Sequence, residues 1–271
     1  MDLPLRQRPI GVFDSGFGGL SVLREIHRLL PNEQLIYVGD AGHAPYGDKT
    51  REAISARSFA VSEFLVSQQA KAIVVACNTA TSAAATALRQ HFRTLPIIAM
   101  EPAIKPAATQ SRAGVVGVLA TRSTTTGDNF RQLVERFSSA ATILVQPCPG
   151  LVELVEKGEL NSPQTRELLD RYVQPLLAQG ADTLVMGCTH YPFLMPLLAE
   201  LCGSDIQLID PAPAVARELQ RRLAEAHLLR PDSDRGELSF WSSGSLSHVQ
   251  SILPGLWPDP LPAAHLHYWP G

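Results

Sequence analysis

Two distant segments of the chain share one pattern, an apolar run that ends in a cysteine. Residues 72–76 lead to Cys77-Asn78-Thr79, and residues 183–187 lead to Cys188-Thr189-His190. Each run is typical of a buried strand, and the hydroxyl residue that follows each thiol predicts the start of a helix. In an open α/β sheet such strand ends bind ligands, and a helix N-terminus favours a thiolate. The pattern therefore predicts two matched thiols facing one pocket, where one removes a proton from a carbon and the other delivers one.

The strands near these thiols also recur in the same order. Gly11–Ser15 has a counterpart in Gly117–Thr121, the strand before Gly39 has one at residues 142–145, and Cys77 has one in Cys188. An offset that nearly holds over three strand–helix units indicates internal duplication. We therefore predict an α/β fold of two similar parallel-sheet, flavodoxin-like domains related by pseudo-two-fold symmetry, with the active site in the cleft between them.

The boundary between the two domains is expected near Glu101-Pro102-Ala103, where the first half ends. The second half is complete without the residues beyond 210, so we expect that tail to return to the first domain. The predicted domains are residues 1–100 with 211–271, and residues 101–210.

The composition predicts a soluble, globular protein with a large core. The chain has 271 residues, of which 45% are hydrophobic, and its net charge is −3. The N-terminal residues lack the apolar segment of a signal peptide, and no apolar run of about eighteen residues could span a membrane, so we expect a cytoplasmic protein with no membrane partner. Without a basic block, nucleic acid is not an expected partner. The default ligand is a small molecule.

The sequence favours chemistry without a cofactor. None of the four lysines has the Gly/Ser/Thr-rich setting of a Schiff-base lysine, so a pyridoxal enzyme is disfavoured, and we expect Lys71 and Lys157 to be solvated. Cys77, Cys188 and His190 could ligate zinc, but paired C-x-x-C spacing is missing, so no metal is expected.

The remaining cysteines and the C-terminal histidines are expected to have no role in a site. Cys148 and Cys202 are interpreted as structural residues. His265 and His267, with Tyr268 and Trp269, are expected in a surface tail.

Three further features, the segments Asp14–Gly19 and Pro45-Tyr46-Gly47 and the residue Glu156, are each weighed as structural or functional. The segment Asp14–Gly19 lacks the spacing of a dinucleotide fingerprint; it is either a tight turn with Ser15 as helix cap, or a pocket rim with the Asp14 carboxylate and free N–H groups. Pro45-Tyr46-Gly47 is either only a turn or a holder for a carboxylate. Glu156 lies one turn from Glu153 on a predicted helix, which usually makes a solvated face, and spacing alone does not support a role for Glu156 in the pocket.

The chain resembles the glutamate racemase family, the cofactor-independent amino-acid racemases of bacterial cell-wall synthesis. The resemblance is nearly full-length and rests on the segments Asp14–Ser21, Pro45-Tyr46-Gly47, Ala76–Ala80, Glu101-Pro102-Ala103, Val116–Thr121 and Gly187–Pro192.

This resemblance implies an aspartate/glutamate racemase fold and an isomerase that interconverts L- and D-glutamate with two cysteines as the bases, Cys77 and Cys188. D-Glutamate from such enzymes supplies peptidoglycan biosynthesis, and so cell wall biogenesis and cell shape. The resemblance also implies that Asp14 and His190 assist the thiols, with Glu156 as a further helper. The residues implied to bind substrate are Asp14, Ser15, Pro45, Tyr46, Gly47, Asn78, Thr79, Thr189 and His190.

Two alternatives stay open at the level of sequence. A relative that acts on aspartate or another amino acid would share the thiol pair, and a two-domain amino-acid-binding protein would need no thiols at all. The oligomeric state cannot be read from the sequence; a homodimer is one candidate.

Overall fold

The computed structural model describes residues 3–231, 235–257 and 265–271, and it contains two separate parallel sheets. The strands in chain order are β1 (Ile10–Asp14), β2 (Leu35–Gly39), β3 (Ala72–Val75), β4 (Ile97–Ala99), β5 (Val115–Ala120), β6 (Thr142–Pro147), β7 (Thr183–Gly187), β8 (Gln207–Ile209), β9 (Leu238–Ser242) and β10 (His265–Tyr268). The helices are α1 (Leu20–Leu29), α2 (Arg51–Ser67), α3 (Asn78–His91), α4 (Ile104–Gln110), α5 (Arg122–Thr126), α6 (Asp128–Phe137), α7 (Leu151–Glu156), α8 (Pro163–Ala178), α9 (Met195–Cys202), α10 (Ala212–Glu225) and α11 (Leu246–Leu256).

The two sheets repeat one strand order. The first sheet runs β10-β9-β2-β1-β3-β4, the second runs β6-β5-β7-β8, and the order β2-β1-β3-β4 matches that of the second sheet. Every pairing in both sheets is parallel. The predicted α/β class with two parallel sheets is confirmed. Strands β9 and β10 come from the C-terminal segment and extend the first sheet, while the domain bounds given above stay a prediction.

The central strands are continuous apolar runs because helices cover both faces of each sheet. All residues of β3 and β7 are buried. Helix α1 is amphipathic, buries Leu20, Leu23 and Ile26, and packs against α10. One apolar cluster contains Val12 of the first sheet and Leu119 of the second, so the two sheets share a core.

The predicted helix starts differ in detail from those in the structure. Cys77 is itself the N-cap of α3, since its sulfur accepts a hydrogen bond from the N–H of Ala80 at 3.4 Å. After Cys188 the chain forms a short 3₁₀ turn, Tyr191–Leu194, before α9 begins. Ser15 does not cap α1, whose N-cap is Gly19, so the interpretation of Ser15 as a helix cap was wrong.

The C-terminal residues belong to the fold, and the prediction of a surface tail was wrong. Residues 265–268 form β10, which pairs in parallel with β9. Trp269 is buried and stacks near Phe64 of α2, with ring centroids 5.4 Å apart. The cause is the free edge of β9, which can bind another strand.

Lys71 is buried, so the prediction that it is solvated was also wrong, whereas Lys157 is exposed as expected. The Lys71 ammonium lies 2.5 Å from the Glu33 carboxylate and 2.7 Å from the carbonyl oxygen of Arg6. Burial lowers the pKa of Lys71, and the Glu33 carboxylate opposes that shift. The partner lies 38 positions earlier in the chain, so no local pattern could reveal it.

No helix in the described part of the chain is both long enough and apolar enough to cross a membrane.

Glu33→Ala should strongly destabilise the fold because it leaves the buried Lys71 charge without its partner. We expect a loss of about 3–5 kcal/mol in unfolding free energy, measured by urea denaturation. The control is Glu167→Ala, which removes the exposed ion pair with Arg171 and should change stability little. Equal effects of the two substitutions would contradict the prediction.

Candidate active site

A small cavity lies between the two sheets, at the carboxyl ends of their strands. Its volume of about 10 Å³ is close to the minimum that holds one water molecule. The residues that line it are Ser15, Pro45, Tyr46, Gly47, Cys77, Asn78, Thr79, Thr121, Val152, Cys188, Thr189 and His190. Both predicted thiols and most of the predicted binding residues therefore meet at one place. Asp14 and Glu156 lie behind this lining.

The first thiol, Cys77, lies between β3 and α3 in an acidic environment. Its sulfur is 3.8 Å from the Ser15 hydroxyl, and the Asp14 carboxyl is near enough to interact with it. Burial raises the pKa of Cys77 well above its ordinary value, and the negative charge of Asp14 raises it further. Burial also raises the pKa of Asp14, although His190 and the N–H of Gly19 oppose that shift. This wall of the cavity favours a protonated thiol.

The second thiol, Cys188, lies beside a base. Its sulfur is 3.6 Å from Nδ1 of His190, and Nε2 of the same ring is 2.5 Å from a carboxylate oxygen of Glu156. Burial by itself would lower the pKa of His190, but hydrogen bonds with Cys188 and Glu156 outweigh it and raise that pKa well above its ordinary value. An imidazolium next to a thiol stabilises the thiolate. The two thiols therefore differ in their electrostatic surroundings.

Glu156 touches His190 and the opposite half of the protein. Its carboxylate accepts a hydrogen bond from the N–H of Phe17 at 2.7 Å. Gly16 and Gly18 make this close approach possible, since a side chain at Gly16 would collide with Glu156 and one at Gly18 would collide with His190. Glu156 therefore contacts His190 and does not lie on a solvated helix face. Among the hydrogen bonds of the described residues, none joins Glu156 to either thiol.

A cluster of three threonine hydroxyls, from Thr79, Thr121 and Thr124, joins the two halves beside the cavity. The three oxygens lie 2.9–3.2 Å from one another. The sequence reasoning did not assign Thr121 or Thr124 to the site. Thr121 had a signal, because it is the counterpart of Ser15 in the internal repeat, whereas nothing local distinguished Thr124 from its neighbours.

Asn78 is the first residue of α3 and is buried at the cavity. Among the described residues, neither polar atom of its side-chain amide has a hydrogen-bond partner. Buried polar groups are nearly always paired, so an unpaired amide on a cavity wall is suited to binding a polar ligand.

Tyr46 lines the cavity with its ring, while its hydroxyl is 2.5 Å from the buried Asp40 carboxylate. The short 3₁₀ turn Tyr46–Asp48 carries Gly47 to the cavity wall. The Tyr46 hydroxyl already has a partner. The predicted binding of substrate by this segment would therefore use its backbone and the tyrosine ring.

The other two cysteines lie outside the cavity lining, and both are free thiols. Cys148 is buried, and its thiol donates to the carbonyl of Gln146 at 3.2 Å. No group of three His, Cys, Asp or Glu side chains in the described ranges is arranged to hold a metal ion.

The chain is similar to known racemases over nearly its whole length. The model of the Asp/Glu/hydantoin racemase family matches residues 10–219. Glutamate racemase of Ectopseudomonas mendocina (strain ymp) is 56% identical over 248 residues, which are 92% of this chain and 94% of that protein. Glutamate racemase of Pseudomonas entomophila (strain L48) is 54% identical over 252 residues, 93% of this chain and 95% of that protein.

Two solved structures resemble the fold. That of glutamate racemase from Francisella tularensis in complex with D-glutamate has a TM-score of 0.85 and 28% identity, and covers 97% of this chain and 98% of the other. That of Escherichia coli glutamate racemase, in complex with L-glutamate and the activator UDP-MurNAc-Ala, has a TM-score of 0.84 and 33% identity, and covers 96% and 98%.

Iodoacetamide should alkylate Cys188 before Cys77, because His190 favours the thiolate at Cys188 while burial and Asp14 disfavour it at Cys77. We therefore expect Cys188 to react faster than Cys77 at neutral pH, since the thiolate is the nucleophile. Peptide mapping by mass spectrometry measures both rates. His190→Asn should reduce the difference, and faster alkylation of Cys77 in the wild type would refute the assignment.

Proposed function

Because the chain belongs to the Asp/Glu/hydantoin racemase family, it is an isomerase that racemises glutamate, and we propose that it does so by a two-base mechanism with Cys77 and Cys188. The observation that carries the proposal is that both thiols line one cavity, each supplied by a different sheet. A racemase needs one group to take the α-proton and another to return a proton to the opposite face.

The proposed reaction from L-glutamate begins with Cys188 as the base, as the family resemblance implies. The Cα–H bond breaks, its proton forms an S–H bond on Cys188, and the electron pair stays on the substrate. The S–H bond of Cys77 then breaks and its proton forms the new Cα–H bond of D-glutamate. The pairing of Cys188 with His190, and of Cys77 with Asp14, favours the thiolate and thiol that this direction requires. The reverse reaction needs the opposite protonation state of both thiols.

The carbanion formed on the way requires stabilisation, since the α-carboxylate of the substrate is already ionised. The N-terminus of α3 lies at the cavity, and its positive end favours negative charge there. The unpaired amide of Asn78 and the hydroxyls of Thr79 and Thr121 are neutral donors on the same side. Donors that are already in place cost little reorganisation when charge develops.

Substrate access requires the two walls to separate, because about 10 Å³ is far too small for glutamate. A groove of about 590 Å³ adjoins the cavity and shares Gly47 and Thr79 with it. Lys49, Arg51, Arg122 and Arg131 line this groove together with Asp48 and Asp128, so its charge is net positive. We propose the groove as the access route, since cationic walls raise the local concentration of an anionic dicarboxylate.

We further propose that the product D-glutamate supplies peptidoglycan synthesis, as the family resemblance implies. Location in the cytoplasm, independence of a cofactor and assembly as a homodimer stay predictions.

Racemisation in D₂O should label the two isomers unequally, because the proton taken by one cysteine is not the one returned by the other. Starting from L-glutamate, the D-glutamate formed should carry deuterium at Cα while the remaining L-glutamate stays largely unlabelled at early times. Chiral chromatography with mass spectrometry measures both. The assay contains EDTA and no pyridoxal phosphate. A parallel assay with aspartate tests whether the enzyme also racemises a second amino acid.

The controls for this labelling experiment are Cys77→Ser and Cys188→Ser. Each should abolish racemisation, since a serine hydroxyl is too weakly acidic to replace the thiolate. Equal early deuteration of both isomers would exclude two bases.

Glu156→Gln should shift the pH dependence of turnover. The substitution removes a charge that raises the pKa of His190, so His190 loses its proton at a lower pH. The alkaline limit of kcat/KM for L-glutamate should therefore move to lower pH, and kcat/KM at neutral pH should fall about tenfold, the effect of one hydrogen bond to a charged group. The control is Glu153→Gln, one turn earlier on α7. An unchanged pH profile in Glu156→Gln would contradict this role.

A further inference from the structure

A buried carboxylate that takes no part in the proposed reaction lies directly behind the cavity wall. Asp40 follows β2, and its side chain is fully buried. One oxygen accepts hydrogen bonds from the Tyr46 hydroxyl at 2.5 Å and from Nε of Arg57 at 2.9 Å. The other accepts from Arg57 at 2.9 Å and from the Ser243 hydroxyl at 2.6 Å, and lies 2.9 Å from Nδ1 of His43. Each oxygen thus has at least two partners.

These partners come from three separate parts of the chain. Tyr46 and His43 belong to the segment that follows Asp40 and ends at the cavity, Arg57 lies on α2, and Ser243 follows β9. Ser243 also accepts a hydrogen bond from the N–H of Gly42 at 3.0 Å. The guanidinium of Arg57 lies 5.2 Å from the ring centre of the buried Trp269. The C-terminal segment therefore holds both the carboxylate and its cation in place.

The segment held in this way is the part of the cavity wall formed by Pro45, Tyr46 and Gly47. The stretch from residue 41 to residue 48, which includes this wall, has two short 3₁₀ turns, Ala41–His43 and Tyr46–Asp48, so regular secondary structure does little to fix it. A buried carboxylate with charge-assisted hydrogen bonds to an arginine is a rigid anchor, since breaking any one bond exposes an unpaired group to a nonpolar interior.

We propose that Asp40 is a positioning residue, which fixes the Pro45–Gly47 segment against the substrate, and that Ser243 of the C-terminal segment completes the set of donors that hold it. This inference rests on the proposed function, because the segment is assumed to contact glutamate. The Tyr46 hydroxyl then acts indirectly, by helping Asp40 to hold the segment in place.

The test uses Tyr46→Phe and Ser243→Ala in the full chain, each of which removes one donor to Asp40; Ser243→Ala also removes the acceptor of the Gly42 N–H. Each should raise KM for both isomers about tenfold, while kcat changes less than about threefold, because binding is weakened and the thiols are untouched. Asp40→Asn should raise KM further. Amide hydrogen exchange should become faster at residues 41–48 in all three variants.

The matched control is Ser251→Ala, whose exposed hydroxyl, among the described residues, donates to the His248 carbonyl of its own helix, α11. It should leave KM, kcat and exchange unchanged. If Asp40→Asn does not fold, the two hydroxyl variants decide the question. Thermal unfolding of each variant shows whether a loss of activity reflects unfolded protein, which would lower apparent kcat and leave KM unchanged.

Unchanged KM in both folded hydroxyl variants would overturn the inference, and so would an equal effect of Ser251→Ala. Absence of racemisation in the wild type would instead overturn the proposed function. The exchange measurement needs no activity, so the anchoring of residues 41–48 by Asp40 is tested in either case.

Discussion

The site depends on one set of hydrogen bonds, those between the loop after β1 and the second half of the protein. The N–H of Phe17 donates to Glu156 at 2.7 Å, and the hydroxyl of Ser21 donates to the carbonyl of Thr189 at 2.9 Å. Gly16 leaves room for Glu156 and Gly18 leaves room for His190, since a side chain at either position would collide with them. The hydrogen bonds bring the strand ends of two sheets against one another, and the burial that results is the largest cause of the raised pKa of both Asp14 and Cys77.

Duplication of the strand order places two cysteines at equivalent positions, and the side chains beside each cysteine then give it different surroundings. Cys77 and Cys188 follow corresponding strands, β3 and β7. A carboxyl group stands near the first thiol and an imidazole near the second. The backbone thus provides two equivalent positions at the strand ends, whereas the side chains behind them give the two thiols different surroundings. Such a site suits a chiral substrate. Taking a proton from one face and adding one to the other requires one thiolate and one thiol.

Local patterns predicted those parts of the structure that depend on local physics. The apolar runs before Cys77 and Cys188 form buried strands, because a strand covered on both faces must be apolar throughout. The repeat predicted two parallel sheets. Contacts between distant residues were not predictable in this way: Lys71 finds Glu33, Glu156 finds His190, and Trp269 packs on α2. The cap of α3 was missed because a thiol is an unusual acceptor there.

The small volume of the cavity also affects how readily the two thiols are oxidised in a cell. Cys77 and Cys188 are only 4% and 6% exposed, so peroxide reaches either sulfur only while the walls are apart. Thiolates oxidise far more readily than thiols, and Cys188 is the thiol that lies beside an imidazole, 3.6 Å from Nδ1 of His190. With the proposed separation of the walls, oxidation should therefore accumulate during turnover rather than at rest.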